Sequence, residues 1–197
     1  MSWNDVEKTK SGGGEYYSLE QGENKVRLLS DPVRVMKLYD PATKKSKIAF
    51  ANCGYSAESK PRWIAYVLNY RNNQIELGEF AHSIMKQVLE YKNNEDYAFE
   101  TSPMPYDITI KKTGELLDTE YTVMPARQNS DIDPAILDEL KKKKTCSDIK
   151  QAWQEKQLKE LAEDPEWVAE FKARQEQESE QAIEYPDDDI NPEDIPF

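Results

Sequence analysis

Cysteine, histidine and glycine are scarce in this sequence, and each shortage narrows the chemistry open to it. Cys53 and Cys146 are the two cysteines, far apart and without partner spacing, which argues against a disulfide framework and points to a reduced, cytoplasmic protein. His82 is the single histidine, so the ligands of a structural zinc site are not at hand and no metal or other cofactor is expected. No apolar run approaches the roughly 20 residues that cross a bilayer, so no membrane association is expected. The first fourteen residues lack the apolar centre of a secretory signal. A glycine-rich phosphate loop and a nucleophile–base signature are both missing. The dense carboxylate run, Asp187 to Asp189, lies in a polar, proline-bearing segment that cannot hold a catalytic metal in fixed geometry. No enzyme is expected.

What the chain has in quantity is charge, unevenly placed. Lysine and arginine number 26 against 38 acidic residues, a net of −12. Residues 1–130 hold 17 basic and 18 acidic side chains, whereas residues 131–197 hold 9 and 20. The acidity is therefore carried by the C-terminal third, and the remainder is judged separately. Within that remainder, Lys25 to Arg71 carries a net of +7 and six interleaved aromatics: Tyr39, Phe50, Tyr55, Trp63, Tyr66 and Tyr70. Cations suit a phosphate backbone and flat rings suit unpaired bases, so the mixture fits single-stranded nucleic acid. A β-domain whose rings fill its core and whose lysines keep it dissolved fits the same stretch.

Periodicity divides the chain into four parts. Residues 1–14, ending in Ser11-Gly12-Gly13-Gly14, read as a flexible arm in which Trp3, Lys8 and Lys10 are available for contact. Residues 15–128 read as many short strands with one inserted helix. Lys25-Val26-Arg27-Leu28 alternates charged and apolar residues, Val33–Tyr39 is rich in β-formers, and Asp40-Pro41 turns the chain into a strand over Ile48–Cys53. The turn lysines Lys44 and Lys45 thus stand at a hairpin tip. Arg62–Tyr70 is the longest strand candidate, and Asn72-Asn73 reverses it into Gln74–Leu77. Its two faces carry Arg62, Ile64, Tyr66, Leu68 and Tyr70, and Trp63, Ala65, Val67, Asn69 and Arg71; the pattern does not say which one points outward. Glu79–Tyr91 switches to helical spacing, with His82 on its wet side. Strands resume at Tyr106–Lys112 and Asp118–Met124. The expected fold is mainly β, a five-stranded Greek-key barrel of the OB type with an inserted helix.

Residues 129–180 form a charged helical segment. Asp133-Pro134 and Asp164-Pro165 are cap signals that open helices to about Lys144 and about Glu180, with Asp148–Ala162 between them. Narrow apolar stripes, Ile149, Trp153 and Leu161 on one helix and Trp167, Val168 and Phe171 on another, suit packing on the barrel, on each other or on a partner. Lys141–Lys144 reads as a solvated helix end or a phosphate contact. Residues 181–197 read as a disordered acidic tail, since six acidic side chains, three prolines and no base follow Ile183.

The tail closes on Asp187, Asp188, Asp189 and Ile190, then Glu193-Asp194-Ile195-Pro196-Phe197. This ending resembles the acidic tip of bacterial single-stranded-DNA-binding proteins, which finishes in the same Asp-Ile-Pro-Phe. The body resembles phage-encoded single-stranded-DNA-binding proteins in Glu23–Leu29, Pro61–Leu68 and Tyr106–Ile110. Together the two cover about residues 16–127 and the tip, leaving 133–180 outside. The resemblance implies an OB fold that coats single-stranded DNA without sequence preference in replication, recombination and repair. It also implies that the tip recruits a polymerase, helicase-primase or recombinase, its phenylalanine anchored in an apolar pocket under a basic rim. The zinc site of one phage subgroup does not carry over, because its His and Cys ligands are missing. On this reading Lys25, Arg27, Lys44, Lys45, Lys47, Arg62, Arg71, Lys111 and Lys112 contact phosphate. Stacking rings are drawn from Tyr39, Phe50, Tyr55, Trp63, Tyr66 and Tyr70, and self-association on DNA is compatible with it. The alternative is an acidic adaptor or DNA mimic acting on a host replication factor.

Overall fold

A computed structural model of the chain describes residues 16–41, 44–115, 118–127 and 130–181. The expected N-terminal arm over 1–14 lies outside these, as do Asp187, Asp188, Asp189, Glu193, Asp194, Ile195, Pro196 and Phe197 of the tip. Alternating and β-branched stretches become the strands β1 (Tyr16–Tyr17), β2 (Gly22–Leu28), β3 (Val33–Asp40), β4 (Lys45–Ile48), β5 (Lys60–Asn69), β6 (Gln74–Ala81), β7 (Ile108–Thr113) and β8 (Glu120–Pro125). Helix α1 (His82–Lys92) is inserted between β6 and β7, and α2 (Pro134–Leu140), α3 (Cys146–Leu161) and α4 (Pro165–Gln181) follow the last strand.

Strand β5 is the hub of a single eight-stranded mixed sheet. One of its edges pairs with β6 from Arg62 to Asn69. Its other edge is shared: β3 takes Lys60–Ile64 and β2 takes Val67–Asn69. Between β2 and β3 the pairing continues through Leu29, whose N–H donates to the Tyr66 carbonyl at 2.8 Å. Strand β7 returns to lie antiparallel beside β2, with β8 outside it. The lateral order is therefore β7-β2-β5-β6, with β7 returning beside β2. The ladder is open rather than a closed barrel: among the described residues β6 and β8 do not pair. Helix α1 lies against that gap. Gln87 Nε2 donates to the Tyr121 carbonyl and its Oε1 accepts from the Val123 N–H, both at 2.9 Å.

Both faces of β5 are buried, which is why its residues do not alternate cleanly. Ala65 and Val67 join Val26, Phe80, Ile84, Val88, Ile108 and Ile110 in one core. Ile64, Tyr66 and Leu68 join Leu29, Val35, Ile75 and Leu77 in a second, closed from above by Cys146 with Ile136, Leu140, Ile149 and Trp153. A strand covered on both sides reads as a near-continuous apolar run. Helices α2 and α3 thus pack on the sheet.

Local signals set most helix starts. Asp133 Oδ1 accepts from Ala135 N at 2.9 Å ahead of α2. Thr145 and Asp148 form a reciprocal capping box on α3, and Asp164 Oδ1 accepts from Glu166 N and Trp167 N ahead of α4. Several expected boundaries move. Helix α1 begins at His82 rather than Glu79, because Glu79, Phe80 and Ala81 are held in the ladder opposite Ile64, Trp63 and Arg62. The strand expected over Ile48–Cys53 is Lys45–Ile48, and the next residues form a loop in which Asn52 and Gly54 take positive φ. Helix α2 ends at Leu140, so Lys141–Lys144 form a turn instead of a last helical turn.

Candidate nucleic-acid interface

The β3–β4 hairpin projects two exposed cations. Lys44, at φ +55°, bends the tip, and Lys45 opens β4 opposite Asp40. Both lysines are exposed, and Tyr39 on the adjoining strand is 61% exposed. Among the described residues neither Lys44 nor Lys45 makes an ion pair. Lys47 Nζ lies 3.3 Å from Asp40. Arg62, further along β5, is 4.0 Å from Glu79, which also binds Lys37.

A second group of expected contacts lies toward the Asn69 end of β5. At about 3.3 Å per residue, that end is roughly 30 Å from the Lys60 end. Lys111 and Lys112 stand opposite Glu23 and Gly22 on β2. Arg71 is bound to Glu20 at 2.5 Å and donates to the Ser18 carbonyl at 2.9 Å, so it fastens the β1–β2 connection. Lys25 pairs with Asp107 at 2.9 Å and sits 4.5 Å from the Tyr70 ring centroid. Tyr70 donates its hydroxyl to Asp107 at 2.6 Å. Burial, and then the hydrogen bond to Asp107, push the Tyr70 phenol up to about 12. Burial pulls the Asp107 carboxyl upward, but hydrogen bonds from Tyr70, Lys25 and Arg27 together with the Arg27 charge outweigh it and hold the group below its ordinary value.

Several expected contacts are buried or half-buried against other parts of the chain. Arg27 is wholly buried, its Nε donating to Asp107 at 2.7 Å and its Nη1 to the Ser130 carbonyl at 2.6 Å. It is an internal ion pair and leaves the candidate interface. Tyr66 is buried in the second core beneath α3. Phe50 is covered by Trp167 and Phe171 of α4, edge-on at 6.2 and 6.3 Å. Tyr55 packs edge-on against Phe50 and donates its hydroxyl to the Ile48 carbonyl at 3.0 Å. Trp63 points to the opposite face of β5 from Tyr66, packing on the first core, with Nε1 3.4 Å from His82 Nδ1. Of the six rings, Tyr39 is therefore the one well presented, with Tyr70 partly open.

The packing also gathers residues that sequence reasoning left unassigned. Trp153 of α3 lies near-parallel to Tyr16, and Lys37 Nζ is 5.0 Å from its ring centroid. Lys37, Lys45, Lys156 and Glu160 line a cleft of about 400 Å³ whose wall is Trp153. Lys142, Lys143 and Lys144 line a neighbouring one with Tyr16 and Tyr66. The lysine run was visible in sequence as a possible phosphate contact; its ring neighbours, remote in the chain, were not. No family model, curated protein or solved structure matches the chain. The arrangement is suited to holding an extended polyanion with planar groups. Among the described residues no group of three or more His, Cys, Asp or Glu side chains is placed to hold a metal ion, and no helix is long and apolar enough to cross a membrane.

Proposed function

We propose that this protein binds single-stranded DNA without sequence preference, on an OB-type core, and performs no catalysis. The carrying observation is the basic, aromatic β3–β4 hairpin, with exposed Tyr39, Lys44 and Lys45, on the rim of a sheet with the lateral order β7-β2-β5-β6. In OB terms β2 and β3 are the two halves of one bent first strand, β5 and β6 the next two, and β7 and β8 the last pair. Helix α1 occupies the opening where such a barrel closes. Single-strand binders of this class combine a cationic groove with stacking rings, each ring worth about 1–3 kcal/mol. The Asp194-Ile195-Pro196-Phe197 ending supports a second role, recruiting replication or recombination proteins while the core covers the strand.

The test is a mobility shift with radiolabelled oligothymidylate at low salt, on the full chain and on a form lacking residues 184–197. Binding is expected for both, with affinity falling as salt rises because neutralised phosphates release counterions. If neither form shifts the strand, the reading fails. The acidic adaptor or DNA mimic, favoured by the net charge of −12, then takes its place.

A further inference from the structure

Lys141–Lys144 follow the end of α2, and a helix end with its favourable dipole accounts for part of that run. Lys141 pairs with Asp138 at 2.9 Å and Lys143 lies 3.4 Å from Glu139. Lys142 and Lys144 make no ion pair among the described residues. The turn that carries them is fixed by its backbone, with Lys142 N donating to the Glu139 carbonyl and Lys143 N to that of Leu140. Cations with no carboxylate opposite suit an anion, and here they border a cavity of about 440 Å³ that, among the described residues, no acidic side chain lines. That volume lies within the range of small-ligand sites.

Aromatic groups supply the rest of the cavity. The Tyr16 and Trp153 rings lie within 26° of parallel with centroids 6.4 Å apart. The directly stacked pair Trp167 and Phe171 is much tighter, at 4.7 Å. Tyr16 is 57% exposed, so it keeps a ring face in water, while buried Tyr66 closes the side toward the sheet. Trp153 is also the wall of the cleft that leads through Lys37 and Lys156 to Lys45 on the hairpin. The two spaces adjoin at Trp153 and form one path; in its outer part Lys37 is bound to Glu79 and Lys156 lies 3.9 Å from Glu160, which also lines it, while Lys45 makes no ion pair among the described residues.

We propose that this cavity is a nucleotide subsite of the bound strand, and it rests on the single-strand-binding function proposed above. The base stacks against Tyr16 and Trp153, and Lys142 and Lys144 hold the adjoining phosphates. The C-terminal helices would then be part of the binding surface rather than a support for it.

The full-length protein, 15N-labelled at its tryptophans, is titrated with oligothymidylate and separately with thymidine 5′-monophosphate. Trp153→Phe assigns the Trp153 indole signal, and the Trp167 signal serves as internal control. Affinities are measured in parallel for Lys142→Glu/Lys144→Glu and for Lys44→Glu/Lys45→Glu. All four lysines are exposed, and unchanged thermal melts confirm intact folds. The strand is expected to shift the Trp153 indole signal and leave that of Trp167 in place. The Lys142→Glu/Lys144→Glu protein should bind at least about tenfold more weakly, with a salt slope lower by about 1.4, the value for two phosphates of a single strand. If that variant binds like the wild type and the indole signal stays still while Lys44→Glu/Lys45→Glu weakens binding, the subsite is refuted and the function stands. If the wild type binds no strand at all, both fail. Saturation by the monophosphate at concentrations where the strand has no effect points to a free-nucleotide site and also overturns the proposal.

Discussion

Arg27 and Asp107 show how one strand position can carry a charge and yet be closed to solvent. Lys25 and Arg27 share a face of β2; Lys25 is 56% exposed at its side chain and Arg27 not at all. Alternation places both on a wet face. The difference comes from the chain after β8, where Ala126 N donates to the Asp107 carbonyl and Ser130 N to that of Pro105, bringing Ser130 over Arg27. That return is remote in sequence, so no local pattern announces it. Removing one member of a buried ion pair costs about 3–5 kcal/mol, because the other is left uncompensated. Arg27→Met should therefore lower unfolding stability by about 3 kcal/mol, the low end of that range because Lys25 and Tyr70 still reach Asp107. Urea unfolding measures this. The acid dependence follows from the sign of the shift. The Asp107 carboxyl is depressed on folding, so its stabilisation is complete above the unfolded carboxylate value of about 3.9 and is lost as pH falls through the lower folded value. The gap in urea midpoint between wild type and Asp107→Asn should stay level from about pH 7 to pH 5 and narrow below about pH 4. A gap that persists undiminished into strong acid would contradict the ion-pair account.

At the scale of elements, the helices were legible where capping is local and illegible where docking is not. Asp133-Pro134 and Asp164-Pro165 mark the starts of α2 and α4 because a side-chain oxygen and a fixed φ act within a few residues. Nothing in those signals says that α4 lies over the loop after β4. There Trp167 and Phe171 cover Phe50, and Arg174 Nε donates to the Asn52 carbonyl at 2.9 Å. Gly54 permits this approach. Its φ is +87°, and a Cβ added to it would stand 2.9 Å from the Arg174 guanidinium carbon. Gly54→Ala should cost about 1–2 kcal/mol from backbone handedness alone and should displace Arg174. Faster hydrogen exchange across α4 is the expected signature, with the sheet amides unchanged. In a double-mutant cycle with Arg174→Ala, part of the cost should disappear, since the clash goes and the φ strain stays. Strict additivity would show that a Cβ at position 54 does not press on Arg174.

Over the whole molecule, the separation of charge is the property most easily read from sequence and the one with the widest consequence. Residues 1–130 are nearly neutral overall, and residues 131–197 carry 20 acidic side chains against 9 basic ones. The structure refines that division, because four of those basic residues, Lys141–Lys144, belong to the turn beside the sheet, and α3 adds Lys156 to the cleft at Trp153. Six of the 20 acidic side chains fall in residues 184–197, and Glu160 lines the cleft beside Lys156. On the proposed function, residues 184–197 would compete with a polyanionic strand for the same lysines, and competition between exposed charges weakens as salt shortens the Debye length to about 8 Å at physiological ionic strength. Deleting residues 184–197 should tighten oligothymidylate binding severalfold at low salt, with the gain fading as salt is raised. Phe197→Ala should leave strand affinity unchanged, because it removes no charge, while weakening capture of a replication or recombination partner. Fluorescence titration at two salt concentrations separates these effects. Equal affinity of full-length and shortened protein at low salt would mean that the tail does not occupy the path, and that its acidity serves partner recruitment alone.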